Sequence, residues 1–299
     1  MADLDNERSR VEIDPVTGQP TTGHVWDGIR ELNRPLPRWW LWTFYATIAW
    51  AAVYVVLYPA FPLITGATGG VLGYSTRAAV EDDIVVARGM QAGRLDQVAA
   101  LPLEEIRADQ ELARFAVSGG RSAFLVNCVQ CHGSGAAGSP GYANLNDDDW
   151  LWGGALDDIH RTIAFGVRSE HPETRYSEMP AFGADALLTR PERVAVTEYV
   201  LSLSGADHDA VAAGEGEVVF TDNCASCHGE AGVGDREFGA PALDDAIWLY
   251  GGDRAAILEQ VNRSRHGVMP AWTGRLDEAV IKQLSLYVHS LGGGEAAAD

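Results

Sequence analysis

The sequence predicts an all-α protein in which one N-terminal transmembrane helix is followed by two tandem copies of a small helical domain. Three observations predict this fold class. An apolar run of membrane-spanning length lies near the N-terminus, apolar stretches with the helical period follow it, and an internal repeat covers the C-terminal part of the chain. With 299 residues, 46% of them hydrophobic, the chain is too long and too apolar to be disordered.

The transmembrane helix is predicted from residues 39–58, in which only Thr43 and Thr47 lie outside the hydrophobic class. About 20 such residues cross a bilayer as a helix. A cleaved signal peptide is disfavoured because a largely polar segment of 38 residues precedes the run and no Ala-x-Ala site follows it. Aromatic residues cluster at both ends of the run, as they do at membrane interfaces.

The distribution of basic residues predicts the orientation of this helix. Arg30, Arg34 and Arg38 precede it, whereas the first basic residue after it is Arg77. Because basic flanks stay in the cytoplasm, we expect a single-pass protein of the bacterial inner membrane, with a cytoplasmic N-terminus and a periplasmic remainder. The predicted segments are a cytoplasmic, irregular tail (1–38), the anchor helix (39–61) and a periplasmic linker with helices around 84–98 and 103–117 (62–118).

The internal repeat predicts two copies of one domain, at 119–206 and 207–293, with a tail at 294–299. Aligning Cys128 with Cys224 also matches Gly120 with Gly216, Phe124 with Phe220, Asn127 with Asn223, Trp150–Gly154 with Trp248–Gly252, Met179–Phe182 with Met269–Trp272, and Tyr199 with Tyr287. Apolar periodic runs at 194–203 and 280–291 close the copies. A capping box of Thr189 and Glu192 begins the first of these helices, and Asp277 is the N-cap candidate of the second.

The four cysteines form two Cys-x-x-Cys-His motifs, Cys128–His132 and Cys224–His228. This pattern is typical of covalent c-type haem attachment, in which Cys128, Cys131, Cys224 and Cys227 would become thioethers and His132 and His228 would ligate iron. Disulfides and zinc sites are the alternatives, but neither explains why a histidine directly follows both pairs. A thioredoxin-like site needs a βαβ pattern, which the sequence lacks.

Two methionines are candidates for the sixth iron ligand. Of the four in the chain, only Met179 and Met269 follow a haem motif, and each begins a Met-Pro-Ala-aromatic sequence. Histidine–methionine ligation suits reversible electron transfer. The spacing leaves the pairing open, since independent domains would pair His132 with Met179 and His228 with Met269.

The other ionisable groups carry weaker signals. Six further histidines stand alone in polar or loop contexts and are interpreted as solvated, with His171 and His266 near enough to the methionines to be alternative ligands; the six are His24, His160, His171, His208, His266 and His289. The net charge of −20 excludes nucleic acid as a partner, because phosphate binding needs a basic face. An acidic surface suits a cationic partner or solubility.

The segment before the anchor carries a family resemblance. Residues 22–33 (TGHVWDGIRELN) running into 35–40 (PLPRWW), followed by Tyr58-Pro59-Ala60, are similar to the signature of subunit III of cbb3-type cytochrome c oxidases, the CcoP or FixP family. The resemblance covers essentially the whole chain. Some relatives have a second transmembrane helix, which we do not find in this sequence.

The resemblance implies two cytochrome c-like domains with two covalent c-type haems. It implies that electrons from a periplasmic c-type cytochrome pass through both haems and a monohaem cytochrome c subunit to the haem-copper catalytic subunit, where oxygen is reduced. It also implies that the axial methionines are exchanged, pairing His132 with Met269 and His228 with Met179. The chain would lie against membrane lipid and have no active site of its own.

Two other functions remain as alternatives. A dihaem peroxidase needs one haem with an open iron position, which two Met-Pro-Ala loops disfavour. A free tethered electron shuttle, or the cytochrome subunit of a dehydrogenase, would carry the same haem motifs, and only the segment before the anchor favours the oxidase.

Overall fold

The computed structural model describes residues 12–296, and within them the chain is mostly helical, as predicted. The chain divides after Arg88 into two compact units, each of which is described by itself. Parts of the two predicted tails, residues 1–11 and 297–299, lie outside the described residues.

A β-hairpin occupies part of the tail that the sequence analysis expected to be irregular. β1 (Thr21–Trp26) and β2 (Ile29–Leu32) pair antiparallel and are joined by two residues. These residues, Asp27 and Gly28, have φ angles of 46° and 82°. Positive φ at both central positions defines the type I′ turn that Asp-Gly favours, so a local signal for the hairpin is present in the sequence. The expectation of an irregular tail was wrong for this segment.

The helix α1 (Arg38–Leu57) lies within one residue of the predicted run. It is the one helix in the described part of the chain that is long and apolar enough to cross a membrane, and none of its side chains is buried. It ends because Tyr58, which precedes Pro59, is extended. A short hairpin follows, with β3 at Pro62–Leu63 and β4 at Gly66–Ala67.

Three helices lead to the first cysteine pair: α2 (Thr76–Ala100), α3 (Leu103–Ala108) and α4 (Gln110–Asn127). The structure interrupts the single helix predicted over 103–117. The Asp109 carboxylate accepts hydrogen bonds from the backbone N–H groups of Glu111 (2.9 Å) and Leu112 (3.0 Å). Asp109 is therefore the N-cap of α4, and a new helix begins there.

The remaining helices are α5 (Val129–His132), α6 (Leu156–Phe165), α7 (Arg190–Leu203), α8 (Ala210–Asn223), α9 (Ala225–His228), α10 (Arg254–Asn262) and α11 (Glu278–His289). The predicted capping box before α7 is confirmed, with the Glu192 carboxylate accepting from the Thr189 backbone at 2.7 Å. Asp277 lies at the N-cap position of α11, but its side chain makes no capping hydrogen bond.

The long helices pack across the two sequence copies. α4 from the first copy packs along α11 from the second, whereas α8 from the second packs along α7 from the first. In addition, α6 packs on α11 and α10 packs on α7. We call α4, α5, α6 and α11 module A, and α7, α8, α9 and α10 module B. The boundary predicted between residues 206 and 207 separates the two copies of the repeat and stays a prediction. Modules A and B are not separated there, because each contains helices from both copies.

A glycine allows the close approach at each helix crossing. A Cβ on Gly120 of α4 would lie 2.0 Å from the carbonyl oxygen of Gln283, and one on Gly216 of α8 would lie 2.1 Å from that of Ala195. The repeat therefore places a glycine where two backbones touch. An aromatic pair follows each crossing: Phe124 with Tyr287 (ring centroids 5.3 Å apart) and Phe220 with Tyr199 (5.1 Å).

Candidate haem-binding sites

The last four residues of each Cys-x-x-Cys-His motif form a short helix, α5 or α9, that follows a longer one. Cys128 links α4 to α5 and Cys224 links α8 to α9, both with helical backbone angles. The histidine N–H donates to the carbonyl of the first cysteine in both motifs, at 2.9 Å for His132 and 3.0 Å for His228. The turn therefore brings both cysteines and the histidine of each motif together in the same way.

The ring of the histidine in each motif makes a hydrogen bond to a backbone carbonyl. Nδ1 of His132 lies 2.9 Å from the carbonyl oxygen of Ala143, and Nδ1 of His228 lies 2.9 Å from that of Pro241. Because a carbonyl only accepts, Nδ1 carries the proton and Nε2 keeps its lone pair. This is the arrangement of a metal-ligating histidine. Burial lowers the pKa of His228, which keeps the ring neutral, while the Pro241 carbonyl opposes that shift.

The first cysteine of each pair is a poor nucleophile in the unmodified chain. Burial, followed by the charge of the neighbouring cysteine, raises the pKa of Cys128 and of Cys224 to about 11. All four cysteines have free thiols. A dithiol redox site needs a lowered cysteine pKa, so this environment does not fit one. Within residues 12–296, no group of three or more His, Cys, Asp and Glu side chains is placed to bind zinc.

Met269 lies with the first haem motif. It packs against the same apolar cluster as Cys128, together with Phe124 of α4 and Ile163 of α6. Two backbone hydrogen bonds hold it to the segment after α6, from Val167 N–H to the Met269 carbonyl and from Met269 N–H to the Val167 carbonyl, both at 3.0 Å. The second sequence copy therefore supplies the methionine of module A.

Met179 lies with the second haem motif. It packs against the cluster that contains Cys224 and Phe220. The segment after α10 holds its loop, because the Ser264 hydroxyl donates to the carbonyl of Pro180 at 2.8 Å. The first sequence copy therefore supplies the methionine of module B. Of the other two methionines, Met90 is 77% exposed on α2, and Met1 lies outside the described residues.

The donor groups at both sites fit a c-type haem. Each site combines two thiols one helical turn apart and an imidazole with a free Nε2, and its first cysteine packs on the same apolar cluster as a methionine. Thioether bonds need the thiols, and six-coordinate iron in an electron-transfer cytochrome takes the imidazole and the methionine sulfur.

The other six histidines have varied surroundings. His24 and His208 are exposed. His160 contacts Glu278 Oε1 at 3.0 Å, His289 contacts the Glu295 carbonyl at 2.8 Å, and the His171 ring stacks on Phe165 with centroids 4.7 Å apart. His266 differs, because its Nε2 is buried and has no hydrogen-bond partner in the part of the chain that the structure describes.

Two aromatic side chains, Trp152 and Tyr250, connect the modules. Trp152, before α6, packs on Gly239, after α9, where a Cβ would lie 2.2 Å from the indole. Tyr250, before α10, packs on Gly141, after α5, where a Cβ would lie 3.4 Å from the ring. An arginine covers each ring: Arg175 lies 5.5 Å from the Trp152 centroid and Arg265 lies 4.6 Å from the Tyr250 centroid. These four residues hold matching positions in the repeat, which is the signal that could have identified them.

Two family descriptions match the chain. The N-terminal domain of cytochrome oxidase-cbb3, FixP, matches residues 18–65. The family described as cytochrome C oxidase, cbb3-type, subunit III, matches residues 115–200 and 211–288, which contain both haem motifs.

Relatives match over nearly their full length. The cbb3-type cytochrome c oxidase subunit CcoP of Cereibacter sphaeroides is 57% identical over 277 residues, covering 92% of this chain and 96% of that protein. The FixP subunit of Sinorhizobium medicae is 56% identical over 284 residues, covering 95% and 98%. The FixP subunit of Bradyrhizobium diazoefficiens is 50% identical over 285 residues, covering 95% and 98%. The chain therefore belongs to the family of subunit III of the cbb3-type cytochrome c oxidases, as the segment before its anchor predicts.

Proposed function

We propose that this chain binds two covalent c-type haems and relays electrons from a periplasmic c-type cytochrome towards the oxygen-reducing subunit of a cbb3-type oxidase. Membership of the family supports the electron-transfer role, and the two complete sets of ligand residues support two haems. Its proposed partners are the monohaem cytochrome c subunit and the haem-copper catalytic subunit. The chain itself breaks no substrate bond.

The observation that carries the proposal is that the methionine from one sequence copy packs with the first cysteine of the other copy. Met269 shares an apolar cluster with Cys128, and Met179 shares one with Cys224. We assign His132 and Met269 to the iron of the first haem, and His228 and Met179 to that of the second. Cys128 with Cys131 and Cys224 with Cys227 attach the two haems.

The residues of the chain would tune and protect the two sites. Bound haem supplies a one-electron couple, and methionine ligation raises its potential. The carbonyls of Ala143 and Pro241 fix the orientation of the ligating histidines, which strengthens them as donors. Apolar side chains pack against Cys128 and Met269 at one site and against Cys224 and Met179 at the other. Electron transfer between haems breaks no bond, so no proton transfer is required of the chain. We infer outer-sphere transfer as the mechanism.

The chain is membrane-anchored, and we place it in the bacterial inner membrane with the haem-binding part in the periplasm. Arg30 and Arg34 before α1, with Arg38 as its first residue, support a cytoplasmic N-terminus. A protease added to intact spheroplasts should then cleave the haem-binding part and spare the N-terminal segment. Cleavage restricted to the N-terminal segment would reverse the orientation.

The methionine pairing can be tested in chains that carry one haem. Replacing both Cys224 and Cys227 by alanine removes the second attachment site, so the remaining haem reports only on His132. Exchange predicts that Met269→Ala then abolishes the weak far-red absorption band of methionine-ligated ferric haem, whereas Met179→Ala leaves it unchanged. The reverse result would establish ligation within each sequence copy. The matching chain without Cys128 and Cys131 should show the opposite dependence.

The relay role can be tested on the complex isolated from detergent-solubilised membranes. We expect a haem-stained band for this chain on a denaturing gel, b-type haem in the reduced-minus-oxidised spectrum, and oxygen uptake with reduced cytochrome c. Covalent haem without these partners would indicate a free shuttle. A large high-spin ferric signal from the chain alone would indicate the peroxidase.

A further inference from the structure

Arg168 lies in the segment after α6 that holds the Met269 loop. It directly follows Val167, whose backbone makes both hydrogen bonds to Met269. Its φ angle is 52°, which is unusual for a residue with a side chain. Its own N–H donates to the Arg175 carbonyl at 2.8 Å, so this backbone position is fixed by a second segment. The side chain of Arg168 therefore starts from a constrained backbone next to one of the proposed iron ligands.

The guanidinium of Arg168 joins the two methionine loops. Its Nε donates to the carbonyl of Gly267 at 2.7 Å, and its Nη1 donates to the carbonyl of Ser177 at 2.9 Å. Gly267 precedes Met269 by two residues, and Ser177 precedes Met179 by two residues. One rigid donor group therefore fixes the backbone of both loops at equivalent places, although the loops serve different modules.

The chemistry of this contact favours a positioning role over a surface charge. The side chain is partly buried, and burial lowers the pKa of Arg168 while Tyr250 and Glu178 oppose that shift. Its hydrogen bonds go to two carbonyl oxygens. A guanidinium stays protonated and presents its donors in a fixed fork, so it can hold two carbonyls at a set separation.

We propose that Arg168 is a positioning residue that holds both axial methionines, so that a change at this one side chain alters both haem sites together. This inference rests on the proposed function, because it takes Met179 and Met269 as the iron ligands. Loosening both loops would weaken both methionine–iron bonds. Since methionine ligation raises the potential, both potentials would then fall.

The chain offers a matched control. Arg263 is the first residue after α10, Arg168 is the third residue after α6, and each is followed directly by a serine. Arg263 is exposed. Its side chain makes no hydrogen bond or ion pair with another described residue. Arg263→Gln removes the same charge as Arg168→Gln without touching either methionine loop.

The experiment compares Arg168→Gln, Arg168→Lys and Arg263→Gln in the full-length, haem-loaded chain in detergent. The readouts are the far-red methionine band, the two reduction potentials and the covalent haem content. We expect Arg168→Gln to keep two covalent haems, lose more than half of the band and lower both potentials, while Arg263→Gln changes none of these. Lysine keeps the charge but lacks the forked donors of a guanidinium, so Arg168→Lys should also lose part of the methionine band. This variant serves as the test if Arg168→Gln does not fold.

Several outcomes would overturn the inference. A change at only one haem, a normal band in Arg168→Gln, or full recovery in Arg168→Lys would each do so. Met179→Ala and Met269→Ala, measured in parallel, should each remove about half of the band because each serves one haem. If these variants lose band while Arg168→Gln does not, only the inference about Arg168 fails. If they lose none, the ligand assignment fails and the inference fails with it.

Discussion

The carboxylate of Glu198 is buried and is held by the guanidinium of Arg254. Nε and Nη2 of Arg254 donate to the two carboxylate oxygens at 2.5 Å and 3.0 Å. Glu198 is 5% exposed, and it also accepts from the backbone N–H of Asp209 at 2.8 Å. The pair joins α7 to the first residue of α10 within module B.

Module A has an apolar pair at the matching positions. Leu286 precedes Tyr287 as Glu198 precedes Tyr199, and Leu156 begins α6 as Arg254 begins α10. Leu156 and Leu286 are 1% and 4% exposed and belong to one cluster. The two modules therefore have similar helix packing, but an ion pair stabilises this contact in module B and two leucines stabilise it in module A.

We expect Glu198→Gln to lower the free energy of unfolding by about 1–3 kcal/mol, because the charged hydrogen bonds to Arg254 are lost. Glu198→Leu alone should cost more, since it also removes the acceptor of the partly buried Asp209 backbone N–H and leaves the half-exposed Arg254 unpaired. The double variant Glu198→Leu with Arg254→Leu recreates the pair of module A and should be more stable than Glu198→Leu. Denaturant unfolding followed by circular dichroism measures the three values, and additive effects of the two leucines would contradict this account.

The ion pair of Glu198 and Arg254 also predicts how the free energy of unfolding depends on pH. The hydrogen bond from Arg254 lowers the pKa of Glu198 in the folded chain, while burial opposes it. A lowered folded pKa gives stability that is complete above the unfolded value of about 4.3 and is lost as the pH falls through the folded value. The stability difference between the unchanged chain and Glu198→Gln should therefore be constant above about pH 5 and shrink below it. A difference that grew on acidification would show that the carboxylate is not stabilised by Arg254.

Local signals predicted much of the chain. The apolar run gave α1 to within one residue, and the box of Thr189 and Glu192 gave the beginning of α7. The haem motifs predicted groups that lie together in α5 and α9. These features depend on interactions between residues that are close in sequence, so they can be predicted without knowing the tertiary structure.

The packing across copies could not be predicted in this way. Gly120 and Gly216 occupy the same place in the repeat, and so do their partners Gln283 and Ala195. The surface of α4 therefore fits α7 as well as α11, and that of α8 fits α11 as well as α7. The sequence pattern is equally compatible with helices that pair within one copy. The two contacts of Arg168 depend on that choice of partner, which is why no spacing rule identified this residue.

The close approach at Gly216 predicts a sharp contrast between two glycines of α8. Gly216→Ala would place a Cβ 2.1 Å from the Ala195 carbonyl, so the helices must separate and we expect a loss of about 2–3 kcal/mol. Gly214 lies two residues earlier, where a Cβ would meet nothing within 4 Å. Gly214→Ala should raise stability by up to about 1 kcal/mol through helix propensity. Equal effects of the two variants in thermal unfolding would contradict the observed crossing.

The C-terminal segment connects loops of both modules through Glu295. Its carboxylate accepts from Arg236 at 2.9 and 2.6 Å and from the backbone N–H of Gly154 at 2.9 Å. Gly154 precedes α6 of module A, whereas Arg236 follows α9 of module B. The Trp150 indole N–H also donates to the Gly293 carbonyl at 2.6 Å. The segment from Gly293 to Glu295 therefore joins the modules by hydrogen bonds rather than by apolar packing.

We expect Glu295→Gln to make the junction between the modules more susceptible to protease, with a loss of about 1 kcal/mol in the free energy of unfolding, because Arg236 is half-exposed and its ion pair is screened by solvent. The loss should diminish at high salt, which weakens the same pair in the unchanged chain. Glu237→Gln, next to Arg236, removes an equal charge from an exposed side chain and is the control. If both variants were cleaved at the same rate, the effect would come from net charge. A salt-independent loss in Glu295→Gln alone would instead assign the stabilisation to the neutral hydrogen bond from Gly154.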